Sequence, residues 1–261
     1  MKNLRKRIEN CEKLCGTLVS LSDPCICEIF GYVGYDFVWI DTEHPYFSLK
    51  DLLCHLNAAR AAGTHAIVRV PQDDLTATKK ILEMEPDGII FPMIRSAKEA
   101  RRLIQTTLYP PAGTRGFGPM RAIGYGTEDA QEYVDNGSKK LCRFIQIEHI
   151  DCVKELEEIV KIEEIDGFIF GPNDLSGSIG QLGHVFDPDT TALIEEAIKI
   201  LRAHGKYVGL CGGFDPATIA HWSSFGIDML TVGGDWNFLC AQAQKTLNDL
   251  RSIYLEQGKK E

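Results

Sequence analysis

No apolar run in the sequence approaches the roughly 18 residues that a bilayer-spanning helix needs. The basic start, Met1 to Ile8, is not followed by an apolar segment of signal-peptide length. Positive charge is also scarce. Against 37 Asp and Glu stand 28 Lys and Arg, for a net charge of −9. Neutralising phosphates takes clustered cations, so nucleic acid and anionic membrane are excluded as expected partners. An acidic small molecule stays open, provided a few cations or a metal are aimed at it. A disulfide framework is missing too. The nine cysteines are an odd number scattered from Cys11 to Cys240, which suits free thiols in a reducing compartment and predicts a cytoplasmic protein. Cys11, Cys15, Cys25 and Cys27 crowd the N-terminal region, but CxxxC and CxC are weak zinc spacings, and buried packing is the expectation. Gly116 and Gly118 lack the third glycine of a dinucleotide fingerprint and do not follow a first strand, which excludes NAD binding.

What is present is a regular alternation. The 261 residues suit one complete (β/α)8 barrel, and an apolar share of 44% excludes general disorder. Eight short apolar runs recur: Leu14–Ser20, Asp36–Glu43, His65–Val70, Gly88–Ile94, Leu141–Glu148, Ile165–Pro172, Lys206–Gly213 and Asp228–Asp235. Their near-continuous Val, Ile, Leu and Phe content marks strands buried on both faces. Amphipathic segments lie between them, at Leu49–Ala62, Lys98–Leu108, Cys152–Ile162, Thr190–His204 and Pro216–Phe225. The pattern predicts an α/β protein, a single-domain (β/α)8 TIM barrel over residues 1–261. Two connections, 109–121 and 173–186, exceed the usual length and are expected to be functional loops.

In such a barrel the chemistry sits at the C-terminal ends of the strands. Strand two ends in Asp41-Thr42-Glu43-His44, strand three in Arg69, strand five in Gln146-Ile147-Glu148 and strand six in Gly171-Pro172-Asn173-Asp174. Phe144, Gln146 and Glu148 share one strand face, pointing into the barrel, while Ile145 and Ile147 face the helices. A carboxylate at the mouth needs a strong partner. Two carboxylates, Glu148 and Asp174, on neighbouring strands and without clustered Cys or His, suit a hard divalent ion, Mg2+, Mn2+ or Co2+, with sites left for water and substrate oxygens. The competing reading pairs Glu148 with Arg69 or Arg143 and makes Asp174 a helix cap. His44 is placed to titrate as a general base. Arg69 can offer its fork to a carboxylate or enolate, or bridge to Asp41. The only lysine in the eight runs, Lys206, opens strand seven at the opposite face, which weighs against Schiff-base chemistry. Gly212–Gly213 and Gly233–Gly234 end strands seven and eight as anion-binding backbone or as tight turns.

The motifs WIDTEH (Trp39–His44), VRVP (Val68–Pro71), PPAGTRGFG (Pro110–Gly118), QIE (Gln146–Glu148) and GPNDLS (Gly171–Ser176) occur in this order. The set resembles the HpcH/HpaI family of class II, metal-dependent pyruvate aldolases over nearly the whole chain. The resemblance implies that Glu148 and Asp174 ligate the metal that a 2-oxoacid chelates. It implies that Arg69 stabilises the enolate, His44 is the acid/base, Gln146 contacts substrate, and the backbone at Asn173 and Asp174 receives the substrate carboxylate. It also implies a hexamer, with Arg115, Gly116 and Arg121 near a neighbouring subunit's site. In the segment where the family carries an Asp that orients the histidine, this chain reads Leu82-Glu83-Met84-Glu85-Pro86-Asp87, so Glu83 takes that role. The expected reaction is reversible cleavage of a 4-hydroxy-2-oxoacid to pyruvate and an aldehyde. Two alternatives share the scaffold: a lyase of the citrate lyase β or malyl-CoA type, and a non-catalytic carboxylate-binding barrel.

Overall fold

The computed structural model describes residues 3–257. Eight parallel strands close into a barrel in sequence order, with β8 paired back to β1. They are β1 (Leu14–Val19), β2 (Phe37–Asp41), β3 (His65–Arg69), β4 (Gly88–Phe91), β5 (Cys142–Ile147), β6 (Gly167–Phe170), β7 (Tyr207–Gly212) and β8 (Met229–Gly234). The eight expected runs each contain one of them, overshooting at the ends. Helices run as α1 (Leu4–Glu9), α2 (Cys25–Val33), α3 (Leu49–Ala62), α4 (Leu75–Glu83), α5 (Ala97–Gln105) and α6 (Ala130–Asp135). The series continues with α7 (Ile150–Lys154), α8 (Leu156–Ile159), α9 (Pro172–Ser178), α10 (Pro188–Ala203), α11 (Pro216–Ser223) and α12 (Asp235–Gln257). None of the helices among the described residues is long and apolar enough to cross a membrane.

Local chemistry sets these bounds. Ser48 and Asp51 form a reciprocal capping box at the start of α3, and Gly63, at φ 77°, ends it in the left-handed region. Strand residues then divide by alternation. Phe37, Trp39, Ile67, Ile90, Phe144 and Ile169 fill the barrel interior, whereas Ile145, Ile147 and Val68 pack against the helices. Gly16 is required because a Cβ there would stand 2.1 Å from the Phe37 ring. Helix α1 stoppers the N-terminal end, with Leu4 and Ile8 joining the interior core.

A regular device marks that end. Asp36, Asp87, Asp166 and Asp228 each lie just ahead of an even-numbered strand, and each accepts a backbone N–H from the preceding odd strand's segment. The donors are Cys15, Ala66, Arg143 and Val208, at 2.8, 2.9, 2.8 and 3.0 Å. The closed ladder therefore carries four carboxylate clasps, all away from the mouth.

Three expectations need correction. The connection expected at 173–186 is not all loop: Pro172, preset for a first helical turn, starts α9, and Gly171 rather than Asp174 is its N-cap. The segment Cys152–Ile162 splits into α7 and α8 around Glu155. Cys11, Cys15 and Cys25 are exposed, and only Cys27 of that group is buried.

Candidate active site

Register brings the first two functional groups together. Asp41 and Arg69 are partners across β2 and β3, so the guanidinium meets the carboxylate as a fork, Nε to Oδ1 at 2.9 Å and Nη2 to Oδ2 at 2.7 Å. The third nitrogen, Nη1, lies 3.3 Å from Glu43 and 3.9 Å from Glu148. The Trp39 ring supports the guanidinium, whose carbon is 5.4 Å from the ring centroid. Burial works against the Arg69 cation, but hydrogen bonds and charge from Asp41, with Glu43 and Glu148 behind, hold its pKa above the ordinary value. Both readings of Arg69 thus hold: it is bridged to Asp41 and still turned towards the mouth.

Gln146 and Glu148 are each 2% exposed on the inward face of β5. The Gln146 amide donates to Glu148 Oε1, while its own Oε1 is buried without a partner. Glu148 Oε2 accepts the Met93 N–H at 3.0 Å, and Met93 holds φ 53°, a conformation costly for a residue with a side chain. Gly171 leaves room for this carboxylate, since a Cβ there would sit 2.6 Å from Glu148 Oε1. Burial pushes the Glu148 carboxyl up to about 7, Asp174 and Glu43 add repulsion, and Arg69 and the Met93 amide offset only part of this. Glu43 is likewise raised by burial, against the pull of Arg69. Asp174 is exposed in the first turn of α9, beside exposed Asn173.

The donor chemistry fits a divalent cation. Asp41, Glu43 and Glu148 gather round one guanidinium, itself forked onto Asp41, and Asp174 adds repulsion to Glu148 and Glu43, so the cluster is net negative. A buried carboxylate with so little compensation invites a positive partner. Among the described residues no group of three or more Asp, Glu, His or Cys could hold a metal. An ion between Glu148 and Asp174 would therefore draw its remaining oxygens from water and substrate, as a reactive site requires.

The other expected residues divide. His44 is in the loop after β2, its side chain 70% exposed, and Glu43 at 3.9 Å is the carboxylate paired with it. Glu83 is not near it. It ends α4 at the N-terminal face, where the Arg115 Nη2 donates to it at 3.1 Å and to the Leu82 carbonyl at 3.3 Å. Parallel strands put those two faces at opposite ends of the barrel, so Glu83 cannot orient His44 of its own chain. Arg115 is 4% exposed, with its guanidinium 4.6 Å from the Tyr109 ring centroid and bonded to Glu83. Arg143 bonds Thr107 rather than Glu148, at 2.6 Å. Lys206 is spent on the Ile162 and Ile165 carbonyls at 3.2 and 3.0 Å. The sequence carries a clear sign for Asp41 and Glu43, as strand-end acids. It carries none for the Met93 amide, because the strain there exists only in the folded backbone.

A closed barrel whose mouth sets a buried arginine among several carboxylates has the layout of an enzyme active site that handles charge. Comparison with known proteins gives the family. Residues 15–218 match the HpcH/HpaI aldolase/citrate lyase family, and the chain belongs to it. It is 31% identical to a hydroxypyruvate/pyruvate aldolase of Roseovarius nubinhibens over 92% of this chain and 93% of that one. It is also 31% identical to a 2-keto-3-deoxy-L-rhamnonate aldolase of Klebsiella pneumoniae, over 84% and 82%. A crystal structure of an HpcH/HpaI aldolase/citrate lyase family protein from Burkholderia cenocepacia superposes with a TM-score of 0.90 at 27% identity, covering 96% of this chain and 100% of that one. The protein is accordingly a carbon–carbon lyase of the aldolase type.

Proposed function

We propose that the protein is a metal-dependent aldolase that reversibly cleaves a 4-hydroxy-2-oxoacid to pyruvate and an aldehyde. The observation that carries this reading is the buried Glu148 carboxylate, 3.9 Å from Arg69 and at the end of the strand paired with the one that leads into Asp174. An Mg2+, Mn2+ or Co2+ ion held by Glu148 and Asp174 would supply Lewis acidity to the 2-oxoacid. His44 removes the proton from the C4 hydroxyl, the C3–C4 bond breaks, and the electron pair moves to the C2 oxygen as an enolate. Arg69, fixed by Asp41, meets that developing charge with a cation that does not need to reorganise. Gln146 orients Glu148 through its amide and has a free acceptor for substrate. The backbone of Asn173 and Asp174, in the first turn of α9, is the seat of the substrate carboxylate. Within one chain Glu43 is the carboxylate beside His44, and Glu83 could act as its partner only from another copy of the chain.

The same reading includes a homo-hexamer working in the cytoplasm. Leu239, Leu250 and Ile253 of α12 are 64, 48 and 55% exposed, which supports burial against another subunit. Native mass measurement tests the assembly. The activity is tested by coupling pyruvate release to lactate dehydrogenase over a panel of 4-hydroxy-2-oxoacids, with and without chelator. Release that persists undiminished under chelation would refute the metal-assisted route.

A further inference from the structure

The mouth of the barrel has a second half that the acid cluster does not occupy. On the side of β1, β7 and β8 lies a cavity of about 410 Å3, bounded by Leu18, Cys211, Phe214, Trp222 and Phe186, with Asn173 at its edge. It adjoins the cluster directly. Cys211 is close enough to Arg69, Glu148 and Asp41 to feel their charges, and Asn173 is the neighbour of Asp174. Leu18 and Cys211 also pack on the interior core, so the cavity floor is the top of the barrel interior. The aromatic wall is ordered: Phe186 stacks on Trp222 with centroids 5.4 Å apart, and Phe214 meets Phe238 edge-on at 5.3 Å. Every side chain that lines the cavity is uncharged; the polar ones are the Asn173 and Asn237 amides, the Thr218 hydroxyl, the Cys211 thiol and the Trp222 indole, and Gly212, Gly213 and Gly233 contribute only backbone.

Resting on the aldolase reading above, we propose that this cavity receives the aldehyde half of the substrate and selects an uncharged aldehyde with an apolar body. The argument is one of charge and solvation. The 2-oxoacid end already spends Arg69, and the surrounding cluster is net negative. A carboxylate, phosphate or sulfonate on the aldehyde would enter a chamber whose side chains supply no cation and which adjoins Glu148, Asp41 and Asp174, and this is costly. An aliphatic or aromatic body instead gains contact with Leu18, Phe214 and Phe186, and apolar burial favours it in proportion to area.

Pairs in which an isopropyl group replaces a carboxylate keep heavy-atom count and branching matched. In aldol addition of pyruvate by the metal-replete enzyme, kcat/KM for 4-isopropylbenzaldehyde should exceed that for 4-formylbenzoate at least tenfold, and 4-methylpentanal should likewise exceed 4-oxobutanoate. Phe214→Arg, a change at the partly exposed rim, should shrink both ratios at least tenfold by supplying the missing cation. Exchange of the pyruvate methyl protons with D2O, followed by NMR, reports enolate formation independently of any aldehyde and shows that each variant is folded. Intact exchange with equal or reversed preference for the charged aldehydes overturns this proposal alone. Absence of exchange in the wild-type enzyme overturns the aldolase reading and this proposal with it.

Discussion

The two ends of the barrel treat charge in opposite ways. At the N-terminal face acids and bases come matched: Arg5 forks onto Asp166 at 2.5 and 2.9 Å, Arg7 bonds Glu12 and Asp36 at 2.9 and 2.8 Å, and Arg202 bonds Asp228 at 2.5 Å. At the mouth, Asp41, Glu43 and Glu148 share one guanidinium, and buried Glu148 has two neutral hydrogen bonds, from Met93 and Gln146, with the cation 3.9 Å away. The first arrangement is finished on folding. The second is completed only when a ligand arrives.

Breaking the mouth should therefore cost activity and not stability. The largest effect is expected for Glu148→Gln or Asp174→Asn, with pyruvate release falling about 10³-fold. The metal-free Glu148→Gln protein should melt no lower than wild type; a marked drop would erase the contrast between the two ends. Arg69→Lys comes next, at about 10²-fold in kcat/KM, because an ammonium cannot hold Asp41 bidentately and still face the enolate.

A pH series sharpens the comparison. The folded Glu148 carboxyl binds its proton more tightly than the unfolded one, about 7 against 4.5. Its contribution to stability is thus complete below about pH 4.5 and lost as pH rises through about 7. Metal-free wild type should lose about 2 kcal/mol from this group between roughly pH 5.5 and 8, a loss absent in Glu148→Gln. Parallel melting curves for the two proteins would contradict this. The smallest effect belongs to the other end. Asp166→Ala strands Arg5 and the Arg143 amide and should cost about 1–3 kcal/mol in denaturant unfolding, while turnover per folded molecule is retained.

The barrel was legible because burial on both strand faces writes itself as runs such as Phe37–Asp41 and Cys142–Ile147. The Arg69, Glu148 and Asp174 cluster was legible for a related reason: polar residues ending such runs have few structural explanations. Helix α9 was hidden because Asn173, Ser176 and Gly177 read as loop chemistry, and only the Pro172 start and the packing of Leu175 override that. The placement of Glu83 was illegible from its segment, since a motif position says nothing about which end of the barrel, or which copy, it serves. The exposed cysteines show the limit of composition: Cys15 faces outward from a strand whose next residues are buried.

The four aspartate clasps give the molecule a modular character. Each fastens an odd strand to the even strand that follows, so the barrel is held as four quarter units by latches remote from the chemistry. Loops at the mouth can then be lengthened, shortened or exchanged without loosening any latch. A scaffold organised this way separates heritable innovation from structural risk: new substrate pockets can be tried at one rim while the other keeps the chain folded.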